Sequence, residues 1–227
     1  MVFMAELPEN NILYEDNHLL VVTKPANIPV CKDSSNDEDL LSMLKKYLKI
    51  KYQKPGNVYL GLVHRLDRPV SGIMVFAKTS KAAQRLAKQL TNKSFNKTYY
   101  AVVEGALKSE DTFKDYLAKD ETTNTSYITT ESKGKLALLE YLCLKSTDNL
   151  SLIKINLLTG RHHQIRVQFA SRNHPLYGDH KYNSKFIKDN KENIALIAKE
   201  LSFYHPITKE LLHFEIPLPK KYPYTLF

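Results

Sequence analysis

Short runs in which apolar and polar residues alternate recur along most of the chain, and that period of two marks β-strands with one buried face. They fall near Ile12 to Tyr14, Leu19 to Thr23, Val58 to Val63, Ile73 to Phe76, Tyr99 to Val103, Leu136 to Leu144 and Leu152 to Leu158. A last pair, around Ala195 to Phe203 and Leu212 to Ile216, brackets the turn Tyr204-His205-Pro206. Helical spacing is rarer. Leu40, Leu41, Leu44, Tyr47 and Leu48 follow Asp37, a side chain suited to capping a helix start. Ala83, Leu86, Ala87 and Leu90 form a stripe after Ser80, with Lys81, Arg85 and Lys88 opposite. A third helix is predicted to begin after Gly160, run toward Ala170 and stop before Pro175, with its N-terminus suited to an anion. The polar, Thr-rich stretch from Glu104 to Ser132 reads as a loop or hairpin excursion. With strands outnumbering helices, the expected class is α+β, a largely antiparallel mixed sheet flanked by helices and loops.

At 227 residues with 43% hydrophobic content, the chain can bury one core or two closely packed lobes. Charged residues are 25% and aromatics 10% of the chain, with only 7 Gly and 10 Pro, so neither a disordered, a collagenous nor a disulfide-rich class fits. No apolar run approaches membrane length and no signal-peptide core follows Met1, so a cytoplasmic protein with no membrane partner is expected. Cys31 and Cys143 lack a CxxC partner and read as reduced structural thiols.

The net charge of +9 is unevenly spread. Residues 51 to 100 hold ten bases and one acid, and residues 151 to 227 hold twelve bases and six acids. A surface built from these segments would attract phosphates, so nucleic acid is the leading partner class; solubilising lysines are the bland alternative. The one acid of the first block is Asp67.

Asp67 stands in His64-Arg65-Leu66-Asp67-Arg68-Pro69-Val70-Ser71-Gly72, on a connection between predicted strands. Arg65 and Arg68 flank it and favour its ionised form, which suits a nucleophile or base; alone, the segment would pass for an ordinary Asp-Arg loop contact. Two further segments change that reading. Lys97-Thr98-Tyr99-Tyr100-Ala101 sends adjacent tyrosines to opposite faces of a strand, one toward the core and one toward a cleft. Gly160-Arg161-His162-His163-Gln164-Ile165-Arg166 gathers two arginines, two histidines and a glutamine at a helix start. A carboxylate, a stacking aromatic and an arginine fork suit a nucleoside flipped out of its stack.

These segments, in this order, resemble the signatures of the RluA-type pseudouridine synthases: an HRLDxxTSG-like loop, a KxYxA strand and a GRxHQIR turn. The likeness extends to Ile12 to Pro29, with Asp16 and Lys24-Pro25, and to Leu201 to Pro219. It implies a single catalytic domain over residues 1 to 227 without the small N-terminal RNA-binding domain many members carry. It implies Asp67 as the catalytic aspartate, Tyr99 as the active-site tyrosine and Arg166 as the arginine paired with Asp67. Arg65 would displace the target base, and His64, Arg68, Arg161, His163 and Gln164 would line the substrate side. Val70 departs from the usual Thr, and His162 from the usual Ser or Thr.

The implied reaction breaks the N1 to C1′ bond of a uridine in a ribosomal or transfer RNA stem-loop, turns the base and joins C5 to C1′. It calls for no cofactor and no metal. Asp67 would attack C1′ or remove a ribose proton; Tyr99 would stack on the base or help remove the C5 proton. A monomer is expected. Rival readings lack their signatures. Gly56 and Gly61 have P-loop spacing, but Leu62 and Val63 replace its Lys and Ser or Thr. Ser71 has no GxSxG elbow, and His162 and His163, expected to point apart, have no HExxH. A non-catalytic RNA-binding or RNA-folding protein using the same basic cleft is the remaining alternative. An acid at the centre of a phosphate-attracting surface argues against it.

Overall fold

The computed structural model describes residues 11–33, 35–107, 109–186 and 192–227. Its strands are β1 (Ile12–Glu15), β2 (Leu19–Lys24), β3 (Gly61–Leu62), β4 (Ser71–Ala77), β5 (Phe95–Glu104) and β6 (Glu110–Asp120). They continue with β7 (Thr125–Thr129), β8 (Lys135–Ser146), β9 (Leu150–Leu157), β10 (Leu196–Tyr204) and β11 (Leu211–Glu215). The helices are α1 (Leu40–Lys51), α2 (Ser80–Thr91) and α3 (Gln164–Ala170). The class is α+β, and the pairings of β1 with β2, β2 with β4, β5 with β9, β8 with β9, and β6 with β7 and β8 are antiparallel. Two units divide the chain: one runs to Phe95 and takes Leu201–Ile216, the other holds Asn96–Glu200 and Pro217–Phe227.

In the first unit, β2 lies against β4 with Leu20 opposite Phe76 and Val22 opposite Met74. Leu19 to Val22 and Met74 to Ala77 are all 0% exposed, so both faces of these strands are covered and simple alternation gives way to a continuous apolar run. Helix α1 supplies Leu40, Met43, Leu44 and Leu48 to the core. Its cap is Asp39, not Asp37: the Asp39 carboxylate accepts from Ser42 N at 3.0 Å and Ser42 Oγ at 2.7 Å. Asp37 is occupied by Arg68 instead. The expected strand over Val58 to Val63 shrinks to Gly61–Leu62. Val58 and Leu60 are buried and Tyr59 exposed, so the alternation there records burial without ladder pairing.

Helix α2 is capped by Thr79, whose Oγ1 accepts from Ala82 N at 3.2 Å. Ala82 and Leu86 are buried, whereas Ala87 is exposed. Arg85 Nη1 donates to Pro206 O at 2.8 Å, and Gln89 bonds both the N–H and the carbonyl of Tyr204. Part of the face read as basic therefore holds the Tyr204-His205-Pro206 turn.

In the second unit, Glu104 to Ser132 includes the hairpin of β6 and β7, with Leu117 opposite Ile128. Tyr99 on β5 stands opposite Ile155 on β9. Helix α3 starts later than expected. His163 has φ +52°, a left-handed backbone that a helix cannot contain, so Gly160 to His163 form a turn and helix begins at Gln164. The helix itself is seven residues long, Gln164–Ala170.

Candidate active site

Asp67 sits on a loop pinned from both sides. Leu66 and Val70 are buried, and Val70 N donates to Asp67 O at 3.0 Å, closing a turn. Val70 thus serves as an apolar anchor where a threonine hydroxyl would find little water. Lys24 is 0% exposed; its Nζ donates to the carbonyls of Pro25 (2.9 Å), Ile28 (2.8 Å) and Arg68 (2.9 Å). Asn27 N adds a second bond to the Arg68 carbonyl at 2.8 Å. Burial pulls the Lys24 ammonium down to about 7, the Asp67 charge pushing the other way and Arg68 pulling down with burial.

The neighbours of Asp67 divide. Arg68 donates through Nε to Asn27 O at 3.1 Å, and its guanidinium pairs with Asp37 and, at 3.6 Å, with Asp33. Its charge is committed to two carboxylates that sequence spacing did not suggest. Arg65 is exposed, with no hydrogen bond or ion pair among the described residues. His64 accepts at Nε2 from Val75 N at 3.3 Å and meets the Phe95 ring edge-on, so it braces the loop against β4.

In the second unit, Tyr99 is buried on β5. Tyr100, on the other face, bonds Glu200 at 3.2 Å, with the Lys154 and Lys199 ammoniums over its ring. Arg166 is 4% exposed and forks onto Asp179, Nε to Oδ2 at 2.8 Å and Nη2 to Oδ1 at 2.7 Å. Asp179, fully buried, also accepts from the backbone N–H groups of Lys181 and Tyr182. The Tyr182 ring covers the guanidinium at 5.3 Å. Gly178 makes the turn possible: its φ is +70°, and a Cβ there would meet Asn193 O at 2.4 Å.

Sequence reasoning missed Asp179, although a signal was there. It is the only acid between Asp148 and Asp189, a stretch of seven bases, the same asymmetry that singled out Asp67.

The remaining turn residues are braced by hydrogen bonds, His163 and Gln164 buried and Arg161 exposed. Gln164 is buried, and its Oε1 accepts from Thr159 Oγ1 at 2.7 Å and Arg161 N at 3.0 Å. Arg161 is exposed, with Nε held by Leu136 O at 2.8 Å. His163 bonds Tyr182 Oη at 2.9 Å, and burial, reinforced by Arg166, holds its pKa down to about 2. It is a neutral ring at ordinary pH. The two histidines do not point apart: the left-handed backbone at His163 lays their rings 3.8 Å from each other. Among the described residues no group of three His, Cys, Asp or Glu is arranged to hold a metal, and no helix is long and apolar enough to cross a membrane.

Comparison with known proteins bears on what these groups do. Residues 18–171 match the pattern of the family described as RNA pseudouridylate synthase, a span that includes the Asp67 loop, Tyr99 and Arg166. An uncharacterized RNA pseudouridine synthase of Aquifex aeolicus is 36% identical over 95% of this chain and 72% of its own. The ribosomal large subunit pseudouridine synthase C of Buchnera aphidicola is 35% identical over 92% of this chain and 67% of its own. Among solved structures, human RNA pseudouridylate synthase domain containing 4 superposes with a TM-score of 0.76 at 22% identity, over 93% of this chain and 89% of that one, and shows the shared fold. The chain belongs to the RNA pseudouridylate synthase family and is an isomerase that converts uridine in RNA to pseudouridine.

Proposed function

We propose that the target is a uridine in a stem-loop of large-subunit ribosomal RNA, isomerised without a cofactor by Asp67, with Tyr99 and Arg166 as its partners in the site. The ribosomal substrate is supported by the names of two relatives, the large subunit synthase C of Buchnera aphidicola and synthase D of Haemophilus influenzae, the latter 32% identical over 96% of this chain. The protein acts as a monomer in the cytoplasm, and residues 1 to 227 work as one catalytic domain.

The observation that carries the assignment of Asp67 is its fixed loop. A fully buried lysine and the Asn27 amide both hold the Arg68 carbonyl, and two buried apolar side chains clamp the turn. Such rigidity has a purpose at a reacting group, because misplacement by about 1 Å costs on the order of 10²-fold in rate. The Asp67 carboxylate acts at the ribose, as a nucleophile on C1′ or a base toward a ribose hydrogen; N1 leaves, the base turns, and C5 bonds to C1′. As C5 bonds to C1′ the Asp67 ester breaks, or the ribose hydrogen that Asp67 removed is returned; C5 then gives up its hydrogen beside Tyr99 and N1 takes one up, so no atom is gained or lost overall. Arg166 orients the carboxylate through its planar guanidinium. Arg65, exposed and without a carboxylate partner among the described residues, enters the stack in place of the extruded base.

The test is single-turnover pseudouridine formation by Asp67→Asn, measured with RNA affinity and thermal melting. Turnover should vanish while binding and folding persist, and wild-type turnover by the folded variant would remove Asp67 from the mechanism. Mapping pseudouridines in RNA from cells with and without the gene identifies the substrate. A lost site in transfer RNA alone would reject the ribosomal assignment.

A further inference from the structure

We propose that Lys97, resting against Gly160, is a subsite for one backbone phosphate of the bound RNA. The inference rests on the assignment of Tyr99 and the Gly160 to Arg166 turn to the active site.

Lys97 lies on β5 two residues before Tyr99 and therefore on the same face of the strand. It is half-buried, and no hydrogen bond or ion pair reaches it among the described residues. Burial alone draws its pKa down. An ammonium withdrawn from water without a partner is unfavourable, and the protein recovers that cost only when an anion arrives. A neutral uracil carbonyl offers a dipole, a phosphodiester a full charge, and the second satisfies a desolvated cation far better.

The ammonium is also held in a defined place. A Cβ at residue 160 would lie 3.4 Å from Lys97 Nζ, an ordinary contact distance, so the charge lies beside the backbone of the turn. That backbone is fixed on either side of Gly160 by Gln164, whose Oε1 accepts from Thr159 Oγ1 and from Arg161 N. No loop movement is required to present the charge. Arg166 and Lys154, by contrast, each have a carboxylate.

The experiment compares wild type, Lys97→Met and Lys97→Arg. Each is titrated into a fluorescent uridine-containing stem-loop RNA whose loop linkages are replaced, one at a time, by uncharged methylphosphonates. Lys97→Met should bind about tenfold or more weakly, with a log-log salt slope shallower by about 0.7, while Lys97→Arg keeps most of the affinity. One methylphosphonate should cost wild type the same factor and cost Lys97→Met nothing. Melting of Lys97→Met should equal or exceed wild type, because an unpaired charge has been removed from partial burial.

Unchanged affinity and slope in folded Lys97→Met would overturn the proposal, as would methylphosphonate penalties equal in both proteins. A marked loss of thermal stability would overturn it too, by showing the ammonium to be structural. Turnover by wild type on the unmodified RNA reports separately on the active-site reading: binding that depends on Lys97 without pseudouridine formation would sink that reading and leave the phosphate subsite standing.

Discussion

Asp179→Asn tests how Arg166 is held. The wild-type carboxylate takes four donors: Arg166 Nε on one oxygen, and Arg166 Nη2 with the Lys181 and Tyr182 amides on the other. Asparagine is nearly the same size, but one oxygen becomes an NH2 group. Placing its oxygen where three donors converge turns the NH2 toward Arg166 Nε, donor against donor, and removes the Asp179 charge from beside a guanidinium that is 4% exposed. Breaking a buried pair in this way costs about 3–5 kcal/mol. For a chain of this size each kcal/mol lowers the melting temperature by about 2–4 °C, so a drop of roughly 6–20 °C is expected. Adding Arg166→Met should restore part of it, since the asparagine oxygen still serves both amides and no buried charge remains. Urea unfolding of wild type, both single variants and the double variant gives the coupling energy. An Asp179→Asn cost below about 1 kcal/mol, or a double variant no better than additive, would refute the assignment of Asp179 as the residue that fixes Arg166.

Arg166→Lys keeps the charge but not the planar fork, so the single-turnover rate should fall on the order of 10²-fold while RNA affinity changes less; equal losses in both would contradict an orienting role. His163 has a folded pKa lowered from 6.5 to about 2, so its contribution to stability is complete above 6.5 and declines as pH falls below it. Unfolding free energies from urea titrations at pH 7 and about 5 should differ by roughly 2 kcal/mol in wild type and by much less in His163→Gln. RNA affinity should fall with salt; Arg65→Gln or Arg161→Gln should each flatten the log-log slope by about 0.7 to 0.9, whereas Arg172→Gln, whose parent side chain is paired with Asp115, should leave it unchanged.

The strands were legible because apolar alternation survives wherever one face meets the core, and β8, with Ala137, Leu139 and Tyr141 buried between more accessible neighbours, shows it plainly. Val58 to Leu60 carry the same signal without a strand, since burial alternates there without ladder pairing. Helix starts were displaced by contacts no local pattern contains. Asp37 and Asp39 are equally good caps by composition, and Arg68, far along the chain, decides between them by engaging the first. The start of α3 was hidden because a left-handed histidine is uncommon and has no sequence mark. In the site, residue types were readable and their partners were not: Arg68, His64 and Gln164 are committed to backbone or carboxylate groups that only folding brings near.

That distinction changes what the net charge of +9 means. Many of the bases behind it are internal to the fold. In the first unit Lys51 and Lys78 share Glu15, and Arg68 takes Asp33 and Asp37. In the second, Arg166, Arg172, Lys154 and Lys185 each have a carboxylate. A cation already neutralised by a neighbouring acid releases little counterion charge when a phosphate approaches, so it adds little to RNA affinity. The charge that matters lies on side chains with no carboxylate partner among the described residues, such as Arg65 in the first unit and Lys97 and Arg161 in the second. All three fall inside the segments that carry the family signature, whereas the paired lysines and arginines named above hold neighbouring parts of the fold together.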